Sequence, residues 1–231
     1  MGAPGFEEKS SISLFNKNPP PEYIAIEGPI GVGKTSLSKR LAESFNHELL
    51  LEKSEENPFL DRFYKEPKQY ALSTQLFFLL QRAQQLQELR QEDMFQPLRI
   101  ADFLIDKDQL FAKENLDPDE YALYLNVYNH LTVDAPTPNL VIYLQAPTDV
   151  LLDRIRKRGI YSEQLIERDY LENLNNAYTE FFHYYDKAPL LIVNTSEINL
   201  VTNDEDYQRL IRYVASRPAG TNFFNPNLSL I

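Results

Sequence analysis

A single α/β domain, with a parallel sheet of five strands covered by helices on both faces, is predicted by three observations on this 231-residue sequence. Short apolar runs alternate with longer segments of helical period from residue 23 to residue 193, the pattern of parallel strands joined by crossover helices. The first strand runs straight into a glycine turn that opens an amphipathic helix. The length suits one core of this kind and does not require a second.

Taken in order, residues 1–21 are polar and close on Pro19, Pro20 and Pro21, which predicts a flexible arm. The first strand is 23–26. After the turn, Leu37, Leu41 and Phe45 recur at helical spacing and should pack on the sheet. A second strand is expected at 48–51, ending at Glu52. Residues 58–90 read as helix, with Leu72, Leu76, Leu79, Ala83 and Leu86 in one apolar stripe. The third strand, 98–104, is interrupted by Asp102. One helix starts near Lys107 and another covers 119–131, their boundary marked by Asp117 and Pro118. Pro136 and Pro138 close the second of them. The fourth strand, 141–144, is nearly all apolar, and the helix at 149–158 stops at Gly159, as suits a C-terminal cap. A helix at 169–185, a fifth strand at 190–193 and a short helix near Asp206 complete a domain at 22–216. Residues 217–231, rich in Asn and Pro, read as an irregular tail.

Composition narrows the function classes. A net charge of −11 opposes adhesion to nucleic acid or to an anionic membrane, so neither is expected as a partner. No run approaches the ~18 apolar residues that span a bilayer, and no basic-then-apolar export pattern opens the chain. There are no cysteines, which excludes disulfides and thiolate metal sites. His47, His130 and His183 have no metal-like spacing. The tyrosines at 121, 124, 128, 178, 184 and 185 read as core or subunit contacts.

The chemistry is concentrated in residues 28–36, which read Gly28, Pro29, Ile30, Gly31, Val32, Gly33, Lys34, Thr35, Ser36. This is a complete G-x-x-x-x-G-K-[ST] phosphate loop between a strand and a helix, and three of the chain's seven glycines fall inside it. Such a loop wraps backbone N–H groups and a helix N-terminus around a polyphosphate, with Lys34 reaching the β and γ phosphates and the Thr35 hydroxyl reaching Mg²⁺. The fold is therefore expected to be of the P-loop NTPase kind, with ATP as phosphate donor and Mg²⁺ beside it. A loop that needs ATP or GTP also points to the cytoplasm.

In parallel sheets ligands bind beyond the carboxyl ends of the strands, where Glu52 and Asp102 both fall. Phosphoryl transfer needs a group that accepts the proton of the attacking hydroxyl, and cations around the moving phosphate. Glu52 is the candidate base, and Asp102 the candidate metal partner beside Thr35, with Glu52 also able to reach the ion through water. A basic run, Arg154, Ile155, Arg156, Lys157 and Arg158, stands out in an acidic chain. Arg154 and Arg158 are four residues apart, share a helix face and can close over the triphosphate as an arginine-rich lid.

From the phosphate loop to the fifth strand the chain resembles the deoxynucleoside kinase family, the bacterial deoxyadenosine and deoxyguanosine kinases above all. The resemblance rests on the loop, on Glu52 followed by Glu56, Asn57 and Pro58, and on Phe63 and Tyr64 with Pro67. It continues through the stretch from Gln75 to Arg82, Phe111 with Ala112, and Arg154 to Gly159 with Glu163. It implies transfer of the ATP γ phosphate to a nucleoside 5′-hydroxyl with Glu52 as general base, for nucleotide salvage. It implies further that Tyr64 and Glu163 hold the sugar 3′-hydroxyl, that Gln75 and Arg82 face the base, that Phe111 stacks on it, and that the enzyme is a homodimer. Gln75 and Arg82 are seven residues apart and can share a helix face, and an amide such as Gln75 can pair with adenine or cytosine. Asp106 and Lys107 are also placed with the substrate.

Three positions depart from the family pattern. Lys53 stands where a proline usually follows the base glutamate, Ile160 where the lid often adds an arginine, and Phe103 where the third strand normally carries one. Lys107, Lys53 or Arg99 can restore the missing positive charge, and Lys107 is preferred because it begins the helix that points into the pocket. Deoxyadenosine is the favoured substrate. The alternatives are a nucleoside monophosphate or other small-molecule kinase of the same fold, or a catalytically weak nucleotide-binding relative. A nucleotide-dependent switch is disfavoured, because neither an Asn-Lys-x-Asp nor an Asp-x-x-Gly pattern is present.

Overall fold

The computed structural model describes residues 19–91, 98–132 and 135–225, the side chains of 89–91 excepted. Its sheet is built from β1 (Tyr23–Glu27), β2 (Glu48–Leu50), β3 (Arg99–Ala101), β4 (Leu140–Gln145), β5 (Leu190–Asn194) and β6 (Thr221–Phe224). These strands are all parallel and lie in the order β2-β3-β1-β4-β5-β6. The central position of β1 follows from its composition. Ile24, Ala25 and Ile26 are wholly buried, which suits a strand covered on both faces.

Eight α-helices occur among the described residues: α1 (Lys34–Phe45), α2 (Leu60–Lys65), α3 (Pro67–Gln91), α4 (Asp108–Asn115), α5 (Pro118–Leu131), α6 (Thr148–Arg158), α7 (Arg168–His183) and α8 (Asp204–Ala215). One core gathers Leu37 and Leu41 of α1, Leu151 and Ile155 of α6, and Leu210 and Val214 of α8. The other side of the sheet is covered by aromatic packing. Tyr143 of β4 stacks on Phe182 of α7 at 4.2 Å between ring centroids, and Phe103 lies among Leu79, Tyr124 and Tyr128. No described helix is long and apolar enough to cross a membrane.

Local chemistry sets the boundaries. The Asp117 side chain accepts from the N–H groups of Asp119 and Glu120 while the Glu120 carboxylate accepts from the Asp117 N–H, a capping box with Pro118 in the first turn of α5. The helix expected over 58–90 is two helices. Pro67 disfavours helical geometry at the residue before it, and Glu66 adopts φ −136°, ψ 69° between α2 and α3.

Two expectations at the chain ends are corrected. The sheet has six strands rather than five, because β6 lies inside the stretch expected to be irregular. Asn222 and the Asn and Pro residues beyond Phe224 mask a four-residue edge strand, whose Phe224 is buried and whose Phe223 is exposed. The arm expected over 1–21 does not extend to its last residues. Pro20 and Pro21 are buried, the Arg217 guanidinium donates to the Pro19 carbonyl at 2.9 Å and to that of Pro20 at 3.1 Å, and His47 bonds the Pro21 carbonyl at 3.1 Å. Residues 1–18 of the arm and 226–231 of the tail lie outside the described residues.

Candidate active site

A parallel sheet delivers the C-terminal ends of its strands to one edge. At that edge β1 runs into the phosphate loop, β2 leads to Glu52 and β3 to Asp102, and all three border a cavity of about 310 Å³. The loop needs its glycines for space as well as for turning. At Gly28 φ is +150° and a Cβ would stand 2.3 Å from the Leu144 carbonyl oxygen. At Gly31 φ is +84° and a Cβ would meet the Ile155 side chain at 2.8 Å. The loop is thus pressed onto β4 and α6, and α1 starts behind it with Lys34, Thr35 and Ser36 on the cavity wall.

Lys34 turns back across this loop and donates to the Gly28 carbonyl at 2.7 Å and the Pro29 carbonyl at 3.5 Å. Burial lowers its pKa, with the neighbouring Lys107 charge adding to the effect and Glu27, Glu52 and Asp102 opposing it. An incoming phosphate would therefore meet a cation in need of a counter-charge.

One carboxylate joins the loop to the candidate base. Asp102 accepts from the Thr35 hydroxyl at 2.6 Å through Oδ2 and from the backbone N–H of Glu52 at 2.7 Å through Oδ1. Burial raises the Asp102 pKa, against the two hydrogen bonds. Glu52 points into the cavity, 17 % exposed at its side chain, and is ion-paired with Arg82. Burial alone would raise its pKa, but Arg82, Lys107 and Lys34 together outweigh that and bring it down to about 2. Arg82 also pairs with the buried Asp108. Burial pushes Asp108 up to about 6 in spite of that partner.

Most residues picked out by the sequence meet here. Tyr64, Gln75, Arg82, Lys107, Phe111, Arg154, Arg158 and Glu163 all line the cavity. Gln75 and Arg82 share the inner face of α3, and both are buried. Arg158 on the exposed rim pairs with Glu163, while Arg154 donates to Thr195 through both a 2.9 Å and a 2.6 Å bond. Pro29 and Val32 serve the loop from behind. The Val32 side chain is in the core, and its N–H bonds the Pro29 carbonyl at 3.2 Å.

Asp106 is a correction. It points to the far side of the 105–107 turn, pairs with Lys187 and borders a different cavity. Residues 105–107 form a 3₁₀ turn, whose successive side chains lie about a third of a turn apart, so its neighbour Lys107 reaches the site and Asp106 does not. Among the cations considered for the missing arginines, Lys53 is exposed and pairs with Glu56, and Arg99 pairs with Glu48 at the other end of β3. Lys107 is buried beside Glu52, 3.9 Å from its Oε2. Phe103 is wholly buried in the core.

Sequence reasoning passed over Glu27, Asp108, Phe78 and Tyr170. Phe78 and Tyr170 line the cavity, and no pattern in the sequence sets them apart from other aromatics. Glu27 did carry a signal, because a charged residue closing the apolar strand Tyr23–Glu27 just before the loop has to be compensated when buried.

A phosphate cradle, a carboxylate facing it and a cavity beside both define a phosphate-loop kinase for a small acceptor. The chain belongs to the deoxynucleoside kinase family, whose model matches residues 24–217. It is 38 % identical over 200 residues to a deoxyguanosine kinase of Bacillus subtilis (strain 168), covering 83 % of this chain and 95 % of the relative. A deoxyadenosine kinase of Lactobacillus acidophilus is 30 % identical over 207 residues, covering 84 % and 94 %. The solved deoxyadenosine kinase of M. mycoides with bound dATP superposes with a TM-score of 0.71 at 30 % identity, covering 82 % and 98 %. The protein is accordingly an enzyme that phosphorylates deoxynucleosides.

Proposed function

We propose that this enzyme transfers the γ phosphate of ATP to the 5′-hydroxyl of a purine deoxynucleoside, with deoxyadenosine as first choice. The observation that carries the reading is the shared cavity of Lys34 and Glu52, joined through Thr35 and Asp102. The sugar hydroxyl would enter beside Glu52, displace Arg82 from it and give up its proton as the bond to phosphorus forms. Lys34 would exchange the Gly28 carbonyl for phosphate oxygens. Arg154 and Arg158, one helical turn apart on α6, would steady charge on the equatorial oxygens, with Lys107 as a further cation beside the base.

The donor set fits Mg²⁺. Thr35 and Asp102 bring two hard oxygens into contact at the loop, as a small divalent cation prefers. Among the described residues no cluster of three or more His, Cys, Asp or Glu suits a metal, so phosphate oxygens and water would complete the shell. When bound, the ion would neutralise charge building on the transferred phosphate.

Gln75, buried at the cavity wall, offers an amide donor and acceptor to the base edge, with Phe111 for stacking and Tyr64 and Glu163 for the 3′-hydroxyl. The amide and the likeness to a dATP-bound deoxyadenosine kinase favour deoxyadenosine. Deoxyguanosine is the second reading, supported by the 38 % identical relative. A homodimer belongs to the same proposal, supported by the solvent exposure of Leu80 on α3 and Leu123 on α5. So does a cytoplasmic setting, where ATP is supplied.

The test is phosphate transfer from ATP across all ribo- and deoxyribonucleosides and their monophosphates, with Glu52→Gln as control. Deoxyadenosine should give the highest kcat/KM and the control should lose about 100-fold or more. Preference for a monophosphate, or full activity in the control, overturns the reading.

A further inference from the structure

Glu27 is fully buried, yet its two oxygens are surrounded by four donors from three parts of the chain. Oε1 accepts from the Gly28 N–H at 2.8 Å and from the Tyr178 hydroxyl at 2.9 Å. Oε2 accepts from the Leu104 N–H at 3.0 Å and stands 3.4 Å from the Lys107 ammonium. The carboxylate therefore ties the first glycine of the phosphate loop, the segment after β3 and helix α7 to one lysine. That lysine is 3 % exposed, lies 3.9 Å from Glu52 on its other side, and has its ammonium 5.0 Å from the centre of the Phe111 ring.

The other cations of the cavity are held more tightly. Arg82 is clamped between Glu52 and Asp108, Arg158 is paired with Glu163, and Arg154 is hydrogen-bonded to Thr195. Lys107 stands between two carboxylates at longer range. Its flexible stem needs a fixed reference to stay beside the transferred phosphate rather than fold onto Glu52. Resting on the kinase reading above, we propose that Glu27 is a positioning residue for phosphoryl transfer: it holds Lys107 at the side of Glu52, so that this ammonium faces the charge that develops between base, hydroxyl and phosphate. Glu27 touches no substrate and acts through Lys107.

A double-mutant cycle separates this role from support of the fold. Lys107→Met should lower kcat about 100-fold, with the KM for ATP within about threefold, because the charge is needed in the transition state. Glu27→Gln, similar in size but uncharged, should lower kcat about tenfold in the native background and less than about twofold in Lys107→Met. Tyr178→Phe, which removes one of the two hydrogen bonds to Glu27 Oε1 and keeps the charge, should show a smaller loss that likewise vanishes with Lys107→Met. It carries the test if Glu27→Gln does not fold. Equal factors in both backgrounds for the variant that folds would overturn the proposal and leave Glu27 a purely structural acid. A native enzyme that phosphorylates no nucleoside would instead overturn the kinase reading itself.

Discussion

The backbone N–H of Glu52 donates to Asp102 at 2.7 Å, and the other oxygen of the same carboxylate accepts from the Thr35 hydroxyl at 2.6 Å. The candidate base is thus indexed to the phosphate loop through one side chain, although the three residues come from separate crossover units. Small displacements between donor and acceptor cost rate steeply, so this chain of contacts bears directly on transfer.

Asp102→Asn should separate geometry from charge. The amide oxygen can still accept from Glu52 and the amide N–H₂ can donate to the Thr35 oxygen, so the fold should keep its unfolding midpoint. Because burial raises the pKa of Asp102, loss of its charge removes a cost and should not destabilise. Activity should fall about 10- to 100-fold and recover in part at high Mg²⁺. A titration of rate against Mg²⁺ concentration decides it, and an unchanged curve removes Asp102 from the metal site.

The acid stability of the protein should carry the signature of Glu52. Its folded pKa is lowered from 4.5 to about 2, so its contribution is complete above 4.5 and is lost as pH falls from there towards 2. At about 1.4 kcal/mol per unit the full effect is on the order of 3 kcal/mol. Thermal unfolding of the native enzyme and of Glu52→Gln should differ by a gap that shrinks over that window. A gap independent of pH would mean that Arg82 and Lys107 do not hold the carboxylate as described.

Arg82→Met should be among the most destabilising single changes. It leaves Glu52 and Asp108 facing each other without the guanidinium that joins them, a loss of about 3 to 5 kcal/mol for a broken buried pair. In the native protein Arg82 keeps the Asp108 pKa down to about 6 against burial, so losing the guanidinium sends it higher, and the deficit should ease as pH falls towards 6 and both forms carry the neutral acid. Denaturant unfolding at pH 5 and pH 8 reads this directly. Equal losses at both would remove Asp108 as the second partner.

Asp106→Asn should leave kcat and KM within about twofold, because the side chain pairs with Lys187 away from the cavity, and should cost no more than about 1 kcal/mol of stability. A large kinetic effect would restore this residue to the substrate site.

Much of the site was legible in the sequence, because local constraints write themselves into short patterns. The phosphate loop needs glycines at fixed spacing to turn, and the stripe of α3 needs apolar residues at helical period, so residues 28–36 and the helix could be read directly, while the turning of Gln75 and Arg82 to the cavity was implied by the family resemblance. β6 was not legible, because four residues between Gly220 and an Asn/Pro-rich end carry too little pattern to outweigh their neighbours. The same holds for the direction of Asp106, where a turn decides which of two adjacent charges faces the cavity.

The parallel α/β plan, the phosphate cradle and the candidate acid at residue 52 could thus be read from short stretches, since each depends on residues close together in the chain. The pairing of the charges comes from the folded arrangement. Arg82 lies between Glu52 and Asp108, and Glu27 meets Tyr178 from a position 151 residues away. Charges buried at such separations are held in place by folding alone, because the desolvation that makes pairing obligatory does not exist in the unfolded chain.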